Sequence, residues 1–441
     1  MKIPKFIREN LLLKMTSLNA PVIITRLGIS LFIQRMISLY FGEVGFYLIG
    51  QIRNLIQILT SVTSMGVFNG IVKYVAEFKE DQEGLKRLFS TTSVFFMGGA
   101  LLSFLILFFG SEQVSEYLFQ TPAYSGTVKI ASLVAPFIGM QRIFNGVING
   151  LSKYKQFVKI DLLSYLIGAG LTLYFIYQDN FDGVLFAIVI TPIFQFSVLV
   201  LIFFKELRRY VPFKNLSLSI PMAKPLLAFS LMSFFSTVVL NSLEIEIRNI
   251  IVRAISEEKS GIWTAMTSLS KNYMSFSIML FSMYVLPKFA VIRTRADFKG
   301  EVINIYKTLL PIFGGGMLLV FLLRYFIMNL VFPGLDKEAL EPLFKWQLIG
   351  DFIRLMSMVI AYQFIAKKMV KTFIFTELLS LGLFFVLSYY LVGIYGVEGV
   401  PVAHLLRYIV YLAVVYILVM RYFRNKKEPP VLTENEEPNA N

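Results

Sequence analysis

The sequence predicts an all-α polytopic membrane protein, with about 12 transmembrane helices in two parallel six-helix lobes. Hydrophobic residues make up 56% of the 441 residues and charged residues only 16%, whereas soluble domains are about half apolar and about a quarter charged. The apolar residues fall into runs of about 20, the length that a helix needs to cross a bilayer core. The two halves of the chain also repeat each other.

Twelve mostly apolar stretches of the sequence are long enough to cross a membrane as helices. The first, second, seventh and eighth are the least obvious, because each carries charged residues. No cleavage site follows the basic N-terminal segment, so we expect the first span itself to be the targeting signal. The candidate spans are 16–40, 44–72, 88–110, 127–150, 156–177, 183–205, 225–251, 260–287, 301–323, 341–365, 370–393 and 396–422.

Basic residues alternate between successive connecting segments. The N-terminal segment 1–15 and every second connection are rich in Lys and Arg, whereas 110–126 and 393–399 contain neither. The positive-inside rule therefore predicts that both termini are cytoplasmic. Segment 206–224 is expected to be a basic cytoplasmic linker, and the polar, proline-containing segment 423–441 a disordered cytoplasmic tail.

The two halves align at one constant offset of 216 residues. Six spans per half is an even number, so the lobes 16–205 and 225–422 are predicted to share one orientation, as in several transporter folds. Substrate would then bind between them near the membrane midplane. A duplicated protein that transports nothing is the alternative. Matching positions include Gly45 and Gly261, Asp161 and Glu377, and Gly183 and Gly399.

Three arginines inside the spans have no acidic neighbour on their own helix face. Arg26, Arg53 and Arg142 lack an acid three or four positions away, and a charge at membrane depth costs about 3 kcal/mol or more without water or a partner. Unless acids from other helices meet them, they leave positive charge facing a cavity. Guanidinium suits bidentate capture of phosphate, so we expect an anionic substrate, with phosphate or pyrophosphate as leading candidates.

Two other cations lie close to acids in the sequence. Glu244 and Arg248 are four residues apart, and Asp351 and Arg354 are three apart. Each pair shares a helix face, so it can neutralise itself. The alternative is that Arg248 and Arg354 also line the substrate path.

Asp161 and Glu377 occupy equivalent places in the two halves, near basic loops. One interpretation is that they form structural salt bridges with Lys155 and Lys371. The other is that a buried acid, Glu377 or Asp351, exchanges a proton or binds Na⁺ during transport. The sequence leaves both interpretations open.

The composition also excludes several functions. The chain has no cysteine and a single histidine, His404, which excludes disulfides and sites built from thiolates or histidine clusters. No Walker A loop is present, so energy must come from an ion gradient, the membrane potential or the substrate gradient. The net charge of +14 does not indicate nucleic-acid binding, since the basic residues lie in short clusters between apolar runs. No cofactor is expected beyond H⁺ or Na⁺ coupling.

Several sequence blocks are similar to those of a known transporter family. They are Phe41-Gly42-Glu43-Val44-Gly45, Met65–Ala76, Gly261-Ile262-Trp263, Tyr284–Pro287, Trp346–Asp351 and Ile365-Ala366-Lys367. With these blocks the chain resembles Wzx-type flippases of the multidrug/oligosaccharidyl-lipid/polysaccharide exporter superfamily. The resemblance covers residues 14–424 and is nearest to the branch that carries lipid III of enterobacterial common antigen.

The resemblance implies a V-shaped bundle that flips an undecaprenyl-pyrophosphate-linked oligosaccharide from the cytoplasmic to the periplasmic leaflet of the bacterial inner membrane. It implies alternating access through a cationic cavity while the lipid tail stays in the bilayer. The implied partners are the polymerase and chain-length regulator of the same glycan pathway, such as O-antigen assembly. The expected substrate-binding residues are Arg26, Arg53, Arg142, Arg248 and Arg354, and the expected ion-coupling residues are Asp351 and Glu377.

Two other functions stay open. A multidrug-type cation antiporter of the same superfamily would need an acidic cavity, which the unpaired arginines oppose. A membrane glycan polymerase or glycosyltransferase would need an outer catalytic domain, and most outer loops are short. The sign of the charge in the central cavity distinguishes these functions from a flippase.

Overall fold

A computed structural model describes residues 11–213 and 216–425. Within those ranges all regular secondary structure is helical, so the predicted all-α class is confirmed. Most of the predicted N-terminal segment and tail lie outside the described residues. The α-helices are α1 (Leu11–Val62), α2 (Phe68–Phe78), α3 (Gln82–Phe109), α4 (Ser111–Phe119), α5 (Ser125–Gly150), α6 (Tyr154–Tyr177), α7 (Phe181–Tyr210), α8 (Ala223–Ser233), α9 (Leu240–Ala254), α10 (Glu257–Leu280), α11 (Leu286–Val291), α12 (Arg295–Leu322), α13 (Arg324–Val331), α14 (Lys337–Ala366), α15 (Val370–Tyr395) and α16 (Gly399–Asn425).

Several of these helices are joined or bent. The π-helical segments Phe234–Val239 and Phe281–Val285 connect α8 to α9 and α10 to α11, so each pair forms one long helix. Helix α1 contains two helices that meet at Gly42, which has φ 55° and ψ −148°. Glycine adopts this region without a steric penalty, so the first two predicted spans meet at a kink at Gly42.

The predicted span 44–72 is interrupted in the structure. Helix α1 ends at Val62, and the chain turns through Met65 and Gly66, whose φ values are 49° and 65°, before α2 begins. The amide of Gly66 donates to the carbonyl of Ser61 at 2.8 Å and closes the turn. The stretch 44–72 contains four glycines, and nothing in the sequence indicated that the chain breaks at Gly66 rather than continuing as a helix. The short helices α4 and α13 were also not predicted.

Hydropathy and length support many of the predicted spans. Within the described residues, eight helical stretches are long and apolar enough to cross a membrane, and the last, 370–424, contains both the eleventh and twelfth predicted spans. Helix α1 and the α10–α11 helix are not among them, which agrees with the charged residues noted in the first, second and eighth spans. A polytopic membrane protein is therefore confirmed, whereas the count of twelve stays a prediction.

Local geometry repeats at the same offset as the sequence. Ser152 and Lys368, 216 positions apart, both have positive φ, 56° and 55°. The next amide in each turn donates to a carbonyl five residues earlier, at 3.1 Å after Ser152 and 2.7 Å after Lys368. The flanking helices also end and begin at this offset, as Gly150 and Ala366 and then Tyr154 and Val370. The duplication is therefore visible in backbone conformation.

The two halves, α1–α7 (the N-lobe) and α8–α16 (the C-lobe), meet most extensively where α1 packs on α10 and α9. We call the end of the bundle that contains Gly42 the distal end, and the end that contains 216–222 the proximal end. Distal contacts between lobes include Gln51 Nε2 donating to Asn249 Oδ1 at 2.9 Å and the Gly334 amide donating to Ser38 Oγ at 3.0 Å. The distal end is thus closed, and at the proximal end α8 packs on α2.

The closest approach of the lobes requires a glycine. A Cβ atom added to Gly261 of α10 would lie 1.8 Å from the carbonyl oxygen of Glu43 in α1. Real Cβ atoms do not approach backbone this closely, so any larger residue would push the two helices apart. The backbone contact at Gly261 therefore allows distal closure.

We expect Gly261→Ala to destabilise the protein by about 1–3 kcal/mol, because an added methyl group overpacks a backbone contact. Thermal denaturation of purified protein in detergent measures the effect. Gly382→Ala is the matched control, since a Cβ there would meet nothing within 4 Å, and it should leave the midpoint unchanged or slightly raised. An equal loss in both variants would contradict the packing argument.

Candidate functional site: a charged cavity between the lobes

A cavity of about 850 Å³ lies between the two lobes. Its wall is formed by α1, α6 and α7 of the N-lobe and by α9, α10 and α14–α16 of the C-lobe. The volume is within the range of small-molecule sites, about 300–1,000 Å³. Five cations and two carboxylates line it: Arg26, Arg53, Lys271, Arg354, Arg407, Glu244 and Glu377.

Arg53, on the second half of α1, is the most available of these cations. Its side chain is exposed in the cavity, and no described residue forms a hydrogen bond or ion pair with it. A guanidinium at this depth therefore relies on water or on a bound anion for its solvation. This is the placement that the sequence predicted.

Arg26 finds an acid on another helix. Its Nη1 atom forms a salt bridge with Asp161 Oδ2 of α6, and its guanidinium lies 4.8 Å from the ring centroid of Tyr165. Asp161 thus pairs with Arg26. The salt bridge with Lys155, which was one interpretation of the sequence, is not formed between these two described residues. The side chains of Arg26 and Asp161 are 41% and 38% exposed, and such a solvated pair is worth little energy and exchanges partners readily.

Glu244 has other partners besides Arg248. Its Oε2 atom accepts hydrogen bonds from Lys271 Nζ at 2.7 Å and from Asn54 Nδ2 at 3.0 Å, whereas Arg248 Nη2 is 3.9 Å away. Arg248 is 2% exposed and donates from Nε to Thr264 Oγ1 at 2.9 Å. The two residues therefore do not simply neutralise each other, because the carboxylate accepts its hydrogen bonds from Lys271 and Asn54, which lie on two other helices.

Asp351 is fully buried within the C-lobe. It accepts hydrogen bonds from Ser270 and Tyr273 at 2.5 Å each, from Gln347 at 3.1 Å and from His404 Nε2 at 3.0 Å. Four donors satisfy both oxygens of an ionised carboxylate. Asp351 thus fixes the packing of α10, α14 and α16 behind the cavity wall.

Arg407 and His404 extend this network to the cavity. If His404 Nε2 donates to Asp351, His404 Nδ1 is the acceptor for Arg407 Nη2 at 3.3 Å, which corresponds to a neutral imidazole. The guanidinium of Arg407 lies 3.9 Å from the ring centroid of Phe384, and no described carboxylate lies within ion-pair distance. The sequence did not predict this chain, because Asp351 lies on α14 whereas His404 and Arg407 lie on α16.

The remaining predicted residues fall in different places. Arg354 lines the cavity, and its Nη1 atom lies 3.9 Å from Asp351 Oδ1. Glu377 also lines the cavity, and its Oε1 atom accepts a hydrogen bond from the hydroxyl of Tyr411 at 3.2 Å. Arg142 is not among the residues that line the cavity, and its guanidinium lies 3.8 Å from the ring centroid of Phe68. The structure thus brings four of the seven predicted residues to the main cavity, namely Arg26, Arg53, Arg354 and Glu377.

Uncharged polar and aromatic side chains complete the wall and were not singled out from the sequence. Amides buried in apolar spans are a readable signal, whereas an aromatic residue that faces a cavity resembles one that faces lipid. Amides offer donors and acceptors to sugar hydroxyls, and aromatic rings offer apolar faces. These residues are Asn54, Gln57, Gln195, Asn241, Asn272, Gln347, Tyr165, Trp263, Phe384, Tyr408 and Tyr411.

Two similar helical lobes around a polar cavity define a membrane transporter of the two-lobe class. A family model described as "Polysaccharide biosynthesis protein" matches residues 40–334. The chain belongs to this family of polysaccharide biosynthesis proteins.

Curated relatives and solved structures agree with this assignment. The chain is 28% identical over 391 residues to the protein named lipid III flippase of Escherichia coli K12, covering 88% of this chain and 93% of the relative, and equally to that of Shigella flexneri. A structure described as an inward-facing MATE family multidrug resistance transporter of the MOP superfamily has a TM-score of 0.71 at 14% identity, covering 91% of this chain and 94% of the other. The fold is that of the MOP superfamily.

Proposed function

We propose that this protein is a flippase of the bacterial inner membrane that moves a lipid-linked oligosaccharide across the bilayer by alternating access. The observation that carries the proposal is the cavity between the lobes, where cations outnumber carboxylates and Arg53 has no described partner. The family and the relatives named lipid III flippase support it. The protein is accordingly a transporter and not an enzyme.

The arginines of the cavity are suited to a pyrophosphate. Arg53 has no partner among the described residues, Arg26 has a solvated partner that an anion can replace, and Arg354 lines the cavity on the opposite lobe. Guanidinium groups bind phosphate oxygens through paired N–H donors. These contacts are spread over both lobes, so the pyrophosphate can be bound without a single tight site. The absence of a tight site favours its release. Arg248 adjoins Arg53 in a smaller cavity, whereas Arg142 lies outside this set.

The rest of the wall is suited to the glycan. Amide and aromatic side chains line the cavity on both lobes, among them Asn54, Gln195 and Trp263. A sugar chain can form hydrogen bonds with such amides. A lipid tail is more stable in the apolar bilayer than in a polar cavity. A cation antiporter is disfavoured, because its substrate would meet an excess of positive charge.

We expect Arg53→Ala to reduce glycan export at least about tenfold, because a hydrogen bond to a charged group contributes about 1.5–3 kcal/mol. Arg53→Lys should be milder, since it keeps the charge but loses the bidentate geometry. Complementation of a flippase-deficient strain measures this, with membrane abundance checked in parallel. Arg253→Ala is the control, because Arg253 pairs with Glu246 outside the cavity. Normal export by Arg53→Ala would exclude phosphate capture by this residue.

Ion coupling is proposed at Glu377. This carboxylate lines the cavity with one described hydrogen bond, from Tyr411, and no described cation within ion-pair distance. Asp351 is enclosed by four donors, so its proposed contribution is to hold the helices that move with Glu377. A carboxylate with access to the cavity can bind H⁺ or Na⁺ when the cavity faces either side.

Glu377→Gln should therefore abolish the stimulation of flipping by an imposed pH or Na⁺ gradient. The measurement is flipping of a lipid-linked oligosaccharide in proteoliposomes, with and without each gradient. Glu112→Gln, an exposed acid on α4, is the control and should keep the stimulation. Full stimulation in Glu377→Gln would remove this residue from the coupling mechanism.

The orientation of the protein follows from charge. We propose that the proximal end, with its basic loops, is cytoplasmic and the distal end periplasmic. With the distal end closed, we propose that the cavity exchanges substrate with the cytoplasmic side, where α8 packs on α2.

Reporter fusions at Tyr117 and at Asn425 are expected to give signals from opposite sides of the membrane. A periplasm-active enzyme should be active at Tyr117, on the distal helix α4, and inactive at Asn425. Activity at both positions, or the reverse pattern, would refute the proposed orientation.

A further inference from the structure

Glu244 is a carboxylate on the cavity wall that joins the two lobes where α9 packs on α1. Its Oε2 atom accepts from Asn54 Nδ2 of the N-lobe at 3.0 Å and from Lys271 Nζ of the C-lobe at 2.7 Å. Arg248 Nη2 lies 3.9 Å from the same atom. The Glu244 side chain is 15% exposed and lines the main cavity. One oxygen atom is therefore shared by donors from both lobes.

Three cations line a smaller cavity whose wall also includes Asn54, a hydrogen-bond partner of Glu244. This cavity, of about 120 Å³, is lined by Arg53 of the N-lobe and by Arg248 and Lys271 of the C-lobe, and no described carboxylate lines it. Like charges repel more strongly where protein and lipid exclude water. Closing the lobes at the distal end brings these cations together, so the closed state needs negative charge nearby.

Other acids around the cavity cannot provide it between the lobes. Asp161 pairs with Arg26 inside the N-lobe, Asp351 accepts from donors inside the C-lobe, and Glu377 accepts from Tyr411 inside the C-lobe. In the described part of the chain, Glu244 is the acid on the cavity wall whose hydrogen bonds join the two lobes.

We propose that Glu244 is an internal counter-anion that takes the place of the substrate's phosphate when the cavity is empty. In the empty protein its charge offsets Arg53, Arg248 and Lys271 and allows the distal end to close. In the loaded protein the phosphate supplies that charge. The proposal rests on the proposed function, since it assigns the same cations to phosphate.

The consequence concerns the return step of transport. After release, an empty transporter must close its distal end before it can accept another substrate. With Glu244 this step needs no cargo, so the cycle gives net transport. Without the carboxylate the lobes close only around an anion, and the protein becomes an exchanger.

The absence of cysteine in the chain allows a direct measurement of distal closure. Glu116→Cys on α4 and Ala254→Cys at the end of α9 place spin labels at exposed positions on the two lobes. Pulsed electron paramagnetic resonance measures the distance between the two labels in nanodiscs, in buffer free of chloride, phosphate and sulfate. The distance distribution gives the ratio of protein with a closed distal end to protein with an open one. The doubly labelled protein is compared with the same labelled protein carrying Glu244→Gln, which keeps the hydrogen-bonding capacity of the side chain but removes its charge.

We expect Glu244→Gln to lower the closed-to-open ratio about tenfold, within the range of typical coupling between sites. Inorganic pyrophosphate should restore closure, because it resupplies negative charge. Glu244→Gln combined with Lys271→Gln should restore closure without pyrophosphate, because it removes one cation. Glu341→Gln, whose carboxylate pairs with Arg324 within the C-lobe, is the control and should change nothing.

An unchanged ratio in Glu244→Gln would overturn the proposal. Opening that neither pyrophosphate nor Lys271→Gln reverses would also overturn it, since Glu244 would then only support the local structure. The readout uses no glycan lipid. Failure of the unmodified protein to flip a lipid-linked oligosaccharide would therefore refute the proposed function without affecting this measurement.

Discussion

Charge within a bilayer must be solvated by water, by a partner or by a ligand, and this constraint organises the whole molecule. Arg53, Glu244 and Glu377 line the cavity between the lobes, and Asp351 is paired behind its wall. Large hydrophobic residues such as Leu201 and Ile394 are exposed on the outer surface instead. A polar cavity inside an apolar bundle is the arrangement that satisfies both solvents. It also creates a site where an anion is stabilised more than it would be at a water-exposed surface.

The duplication gives the protein its shape but not its chemistry. Backbone features recur at the offset of 216 residues, down to the positive φ at Ser152 and Lys368. The charges do not recur in the same way: Arg53 corresponds to Leu269, and Arg407 corresponds to Thr191. The N-lobe therefore presents Arg53 of α1, which has no partner in the described part of the chain, whereas the C-lobe presents Arg407 on an Asp351–His404 support. An asymmetric substrate with a charged and a sugar-bearing part is suited to an asymmetric pair of walls.

Closure and binding use the same residues. The glycine contact between α10 and α1 brings the lobes together distally, and Glu244 lies where the cavity begins below that contact. Because the cations that would hold phosphate also repel one another across the lobes, occupancy of the cavity and its shape are linked by electrostatics alone. Such a transporter needs no separate element to detect the substrate, since the charge of the substrate changes the electrostatic repulsion between the lobes that opposes distal closure.

The sequence by itself determined the helical membrane class, the repeat, the alternation of basic loops and the presence of unusual cations in apolar spans. These follow from composition and from spacing along one chain, which the bilayer constrains strongly. Only the tertiary structure decided which charges meet. Arg26 and Asp161 are 135 positions apart and Glu244 and Lys271 are 27 apart, so no spacing on a single helix could reveal these pairs. The structure likewise separated Arg142 from the cavity and enclosed Asp351, because whether a side chain faces lipid, a neighbouring helix or the cavity depends on how each helix is rotated against the others.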